Sequence, residues 1–110
     1  MHDERKEFMK ILLICGVGAS SGFIAQQMRR AAKARGLDVS IVARSESELL
    51  DSVKDSDCLL IGPHLAYQEQ MIKESIAPYG VPYAFIPEEI YGAIDGAGAL
   101  DIALKLINKE

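Results

Sequence analysis

The sequence predicts an α/β domain of three layers: an open four-stranded parallel sheet with helices on both faces. Three observations predict it. Short apolar runs recur at residues 11–14, 38–43, 58–61 and 83–86, each about the length of a strand. Between them the apolar spacing changes to the three-and-four rhythm of a helix. No two-residue hairpin signal joins consecutive runs, so the strands are connected by helical crossovers and lie parallel.

Each element follows in order. Residues 11–14 (ILLI) are apolar at every position, as in a strand covered on both faces. From about 20 to 35, Ile24, Met28, Ala31 and Ala32 recur at helical spacing, and Gly36 stops the pattern. Residues 38–43 (DVSIVA) alternate like a second strand. Ser45, with Glu48 three places on, is a capping-box signature that opens a short helix to about residue 53. The run CLLI at 58–61 is a third buried strand, stopped by Gly62 and Pro63. Residues 66–77 place Met71, Ile72 and Ile76 on one helical face. The fourth strand is YAFI at 83–86, and PEEIYGAIDG after it reads as a loop. The last helix, about 97–108, carries Leu100, Ala103, Leu104 and Ile107 in one stripe, with Asp101 and Lys105 as an outward pair.

Composition narrows the function. A chain of 110 residues holds one core, read as a single domain over 9–110 with a dispensable charged extension at 1–8. A content of 49% hydrophobic and 25% charged residues is that of a soluble globular protein. The net charge of −4 argues against a nucleic-acid partner, which would favour a basic face. Two cysteines are too few for a disulfide framework and fit a reducing cytoplasm. No apolar run is long enough for a signal core or a membrane span, so no membrane insertion is expected. His2 and His64 are the two histidines, which excludes a Cys/His zinc site. No metal or organic cofactor is expected.

The chemistry gathers at ILLICGVGASSGF. Cys15 ends the first strand, and open parallel sheets place ligands beyond the carboxyl ends of their strands. Residues Gly16, Val17, Gly18, Ala19, Ser20, Ser21 and Gly22 are small. Their glycines leave room for backbone N–H groups to converge on an anion, and a helix N-terminus follows. A thiol there has a lowered pKa and reacts as thiolate, which makes Cys15 a candidate phosphoryl acceptor. The competing reading is a buried filler, since free cysteine is among the most buried residue types; that reading suits Cys58, inside an apolar strand.

Rival loops fit less well. A Walker A loop needs a Gly-Lys-Ser/Thr ending, and no lysine lies between Lys10 and Lys33. A dinucleotide loop needs its third glycine one place earlier and leaves Cys15 idle. A receiver domain needs an aspartate where the third strand ends in Ile61-Gly62. The strongest rival is a low-molecular-weight tyrosine phosphatase, whose loop resembles C-x5-R-S/T; here Ser21 stands at the arginine position. Without that bidentate cation the loop can accept a phosphoryl group but has no evident means of giving it to water.

From Met9 onward the chain resembles the lactose/cellobiose (lactose–N,N′-diacetylchitobiose–β-glucoside) IIB family of the bacterial sugar phosphotransferase system. The resemblance is carried by KILLICGVGASSGF, by LLIGPHLAY at 59–67 and by YGAIDGAGAL at 91–100. It implies a cytoplasmic carrier with a fold similar to low-molecular-weight tyrosine phosphatases. The implied cycle takes a phosphoryl group from a histidine of a IIA component and passes it to a sugar on a membrane-embedded IIC component. By position, Cys15 is the phosphocysteine, residues 16–22 are the phosphate loop, and Pro63, His64 and Tyr67 are candidate site-lining residues. Family loops often run C-x-x-G-M-S-T-S, whereas Ala19, Ser21 and Gly22 depart from it, and His64 replaces a usual glutamine. The phosphatase, and a regulatory domain that binds phosphate without sugar transfer, are the alternatives. Tyr83 and Tyr91 are candidates to line the site or a docking face, with ordinary packing the favoured reading. Asp95 is expected to cap the last helix, and Arg29, Arg30, Lys33 and Arg35 to form a solvated basic face, with docking of an acidic partner as the alternative.

Overall fold

The structure, a computed structural model, describes residues 9–15 and 20–108, with Ser20 and Ser21 described by backbone alone. The extension at 1–8 and Gly16, Val17, Gly18 and Ala19 of the predicted phosphate loop lie outside the described residues.

Strand β1 (Met9–Cys15) leads to α1 (Ser20–Ala34) and then to β2 (Val39–Ser45). A 3-10 turn over Glu46–Glu48 opens α2 (Leu49–Val53), followed by β3 (Cys58–Ile61). A second 3-10 turn over Pro63–Gln68 opens α3 (Glu69–Ile76), and β4 (Tyr83–Phe85), α4 (Glu88–Gly92) and α5 (Gly96–Ile107) complete the chain. The four strands lie in the order β2-β1-β3-β4, every pairing parallel.

Period-two alternation along β1 divides the core. Ile11, Leu13 and Cys15 face a cluster with Ile24, Met28, Leu100 and Ala103 of α1 and α5. Leu12 and Ile14 face the other side, against Leu49, Val53, Ile72 and Ile76 of α2 and α3. With both faces covered, β1 and β3 need apolar residues at consecutive positions, and their runs have them.

The ends of the elements follow from local chemistry. α1 closes on Gly36 at φ +72°, a left-handed position suited to glycine, and Leu37 N–H reaches back to Ala32 O at 2.9 Å. The capping box at Ser45 and Glu48 is present. The Asp95 carboxylate accepts from Gly98 N–H at 2.9 Å and caps α5, as expected.

Three expectations are corrected. Met71 is 57% exposed, one position off the buried Ile72 and Ile76 stripe of α3. The segment read as a loop after β4 contains α4, started by Pro87 with Glu88 and Glu89 in its first turn, where acids favour the helix dipole. Asp101 pairs with Arg35 of α1 at 2.8 Å rather than along its own helix. Arg29, Arg30, Lys33 and Arg35 are all exposed, as expected of a solvated basic face, and Arg29 also donates from Nε and Nη2 to Ile41 O at 3.1 and 2.7 Å.

Candidate functional site

The chain runs from β1 outward to β2 and then back across to β3, so the strand order reverses between β1 and β3. A crevice at that reversal is where open parallel sheets hold ligands. Cys15 closes β1 there, beside Ser45 of β2 in register, and Gly62 N–H donates to Ile14 O at 2.9 Å just after β3. Topology therefore brings the cysteine and the Gly62 turn to one place.

The Cys15 side chain is 2% exposed and packs into the α1/α5 core. Its sulfur is polar in its contacts all the same. Tyr91 O–H, from α4, donates to Cys15 Sγ at 3.3 Å. The Tyr91 ring lies against the His64 ring, centroids 5.6 Å apart at 58°. A Cβ placed on Gly62 would stand 3.0 Å from Cys15 Sγ and 2.7 Å from His64 Cε1. Sulfur, imidazole and phenol thus converge on the Gly62 turn.

Cys58 makes the contrast. It is fully buried within β3, its thiol donates to Ala103 O at 3.8 Å, and burial, with the Asp57 charge adding, pushes its pKa up to about 12. It is an inert core residue, as expected. At Cys15 both sequence readings meet in one side chain: it fills the core and also presents a hydrogen-bonded sulfur at the crevice.

The remaining predicted residues divide. His64 reaches the sulfur's surroundings on an exposed ring, and Pro63 starts the 3-10 turn that carries it. Tyr67 is 80% exposed and its hydroxyl accepts from Gln68 Nε2 at 2.8 Å, so it stands in solvent rather than against Cys15. Ser20 and Ser21 open α1, and Gly22 lies exposed in its first turn. Tyr91 was expected to be ordinary packing, yet it touches the sulfur; its signal was its place in the YGAIDG segment. Among the described residues, no group of three His, Cys, Asp or Glu is arranged to hold a metal ion. A groove of about 490 Å³ between α2 and α3 lies elsewhere, and none of the predicted site residues lines it.

Gly62 offers a test of this geometry. Its φ of −62° and ψ of 146° suit any residue, so alanine carries no backbone penalty. The exposed His64 ring can turn away from the new methyl, whereas the buried sulfur cannot. Gly62→Ala is expected to change stability by no more than about 1 kcal/mol while slowing alkylation of Cys15 severalfold. Melting curves and iodoacetamide labelling check it.

The family described as "PTS system, Lactose/Cellobiose specific IIB subunit" matches residues 10–101. The chain is 28% identical over 98 residues to the oligo-beta-mannoside-specific EIIB component of Bacillus subtilis (strain 168), covering 89% of this chain and 95% of that protein. It is 30% identical over 100 residues to the lactose-specific EIICB component of Lacticaseibacillus casei, spanning 91% of this chain but 17% of that longer protein. A cellobiose-specific phosphotransferase IIB component from Borrelia burgdorferi, solved in solution, superposes with a TM-score of 0.78 at 30% identity over 92% of this chain and 93% of that one. The matched residues run from β1 through the Cys15 crevice into α5, and the chain belongs to the lactose/cellobiose-specific IIB family of the sugar phosphotransferase system.

Proposed function

We propose that the chain is a cytoplasmic phosphoryl carrier in which Cys15 is the phosphorylated residue. The observation that carries this reading is the Cys15 sulfur, hydrogen-bonded by Tyr91 at the reversal of strand order, in a chain with Ser21 where a phosphatase has arginine. In the first step the thiolate lone pair forms an S–P bond to a IIA phosphohistidine. The P–N bond breaks, and its electron pair returns to the imidazole. The backbone of residues 16–22 and the N-terminus of α1 would take the charge on the equatorial oxygens. In the second step a sugar hydroxyl attacks phosphorus, the P–S pair returns to Cys15, and the hydroxyl's proton is released to solvent.

The acceptor class is a cellobiose-, lactose- or β-glucoside-like sugar held by a IIC component. An EIICB relative carries the two functions in one polypeptide, which supports IIC as the partner. No helix among the described residues is long and apolar enough to cross a membrane, so IIC would have to supply the membrane span in this scheme.

The test is intact-mass spectrometry after incubation with phosphoenolpyruvate, the general phosphotransferase proteins and a IIA component. One added phosphoryl group that maps to Cys15 is expected. No adduct with several IIA partners, together with hydrolysis of an aryl phosphate, would overturn the carrier and favour the phosphatase. Phosphorylation that never reaches a sugar when IIC is present would favour a regulatory domain.

A further inference from the structure

We propose that Tyr91 is a catalytic residue, whose O–H stabilises the charge on the Cys15 sulfur both before it attacks phosphorus and as it leaves. The role in transfer rests on the carrier reading; the contact does not. Cys15 is 2% exposed as a residue, which leaves little water to solvate a thiolate there, so its charge must be met by protein donors. Tyr91 O–H at 3.3 Å is such a donor. The contact spans 76 positions of sequence and exists because α4 brings the phenol back over β1.

The tyrosine is held rather than merely near. Its N–H donates to Pro87 O at 2.9 Å, and its ring lies on His64. The turn after it is closed by Ile94, whose N–H donates to Tyr91 O at 3.1 Å at a φ of +53°. A β-branched residue adopts that left-handed conformation when its surroundings force it, and such strain collects at functional sites. Asp95 then bonds back to Ile90 O at 3.0 Å and caps α5, which ties the turn to the last helix.

The chemistry needs no proton transfer from the phenol. When a phosphoryl group leaves Cys15, the P–S bond breaks and its pair stays on sulfur, where the Tyr91 hydrogen bond lowers the energy of the departing thiolate. Without the bond the thiolate is a poorer leaving group. Transfer out of phosphocysteine is expected to slow about tenfold, the worth of one hydrogen bond to a charged group.

The experiment follows iodoacetamide labelling of Cys15 against pH by intact mass, in the wild type, Tyr91→Phe and a control, Tyr79→Phe, at an exposed tyrosine after α3. Cys58 stays silent because it is buried and its thiol stays protonated. The His64 ring, which comes to the same Gly62 turn and packs on Tyr91, is titratable too, and His64→Gln run in parallel separates its contribution. The labelling midpoint in Tyr91→Phe is expected to move up by about one pH unit, with Tyr79→Phe unchanged. A folded Tyr91→Phe with the wild-type profile overturns the proposal. A measurement without the variant covers a Tyr91→Phe that does not fold: the ring resonance of Tyr91 in the wild type is expected to move with thiol titration, and a flat trace overturns the proposal. If the midpoint moves but no IIA partner phosphorylates the wild type, the carrier reading fails and the Tyr91 contact stands.

Discussion

Cys15→Ser is expected to cut phosphoryl uptake from IIA by a thousandfold or more, on the order of the gap between a thiolate and an unassisted serine hydroxyl. A thiol gives its nucleophilic anion far more readily than an alcohol, which needs a general base. The fold should survive the change. Serine is close to cysteine in size, and its hydroxyl inherits Tyr91 O–H as a donor at the same place. Burying that hydroxyl among the residues around α1 and α5 costs about 1–2 kcal/mol. Loss of the mass adduct with a melting curve that stays cooperative, lowered by roughly 5–15 °C, therefore reports chemistry rather than unfolding. Cys58→Ala is the companion variant: its thiol takes no part in the crevice, so it is expected to take up one phosphoryl group like the wild type. An adduct retained in Cys15→Ser would move the acceptor to another residue, and His64 would be the first to examine.

What the sequence made legible depends on how local each cause is. β1 and β3 were readable because a strand covered on both faces must be apolar at every position, and Ile11 to Ile14 and Cys58 to Ile61 are. α4 was not, because five residues are too few to display a helical period. Met71 was misplaced by one position, about a hundred degrees around a helix whose buried stripe is Ile72 and Ile76. Asp101 had a plausible local partner in Lys105, but packing of α1 on α5 brings Arg35 to it instead. The site divides in the same way. Cys15 announced itself by closing an apolar run at a glycine-rich turn, whereas His64 stood out only through the family resemblance of the LLIGPHLAY segment. Tyr91 stood in the YGAIDG segment, but its contact with the sulfur comes through the tertiary path of β4 and α4.

Gly96→Ala is expected to destabilise the protein by about 3 kcal/mol, at the upper end for an overpacked core. α5 begins at Gly96, where a Cβ would land on the backbone of Gln27 and Met28 in α1. At Gly62 the obstacle includes a side chain that can turn aside, but here it is helix backbone at the buried face of α1. The two helices must separate, which loosens the packing of Met28 and Ala25 against Ala99, Leu100 and Ala103. Gly92→Ala supplies the contrast. It lies at the end of α4 with nothing within 4 Å of the added methyl, and is expected to be neutral or to stabilise by about 0.5–1 kcal/mol. Urea unfolding of both variants decides whether α1 and α5 approach as closely as the structure has it; equal stabilities would deny the contact. The same displacement should reach the chemistry. Asp95 caps α5 immediately before Gly96, and the turn it closes holds Tyr91 against Cys15. A shifted α5 should therefore draw the phenol from the sulfur, and the labelling midpoint of folded Gly96→Ala should rise as it does in Tyr91→Phe. In that case the packing of two helices on one face of the sheet sets how well the thiolate is held at its edge.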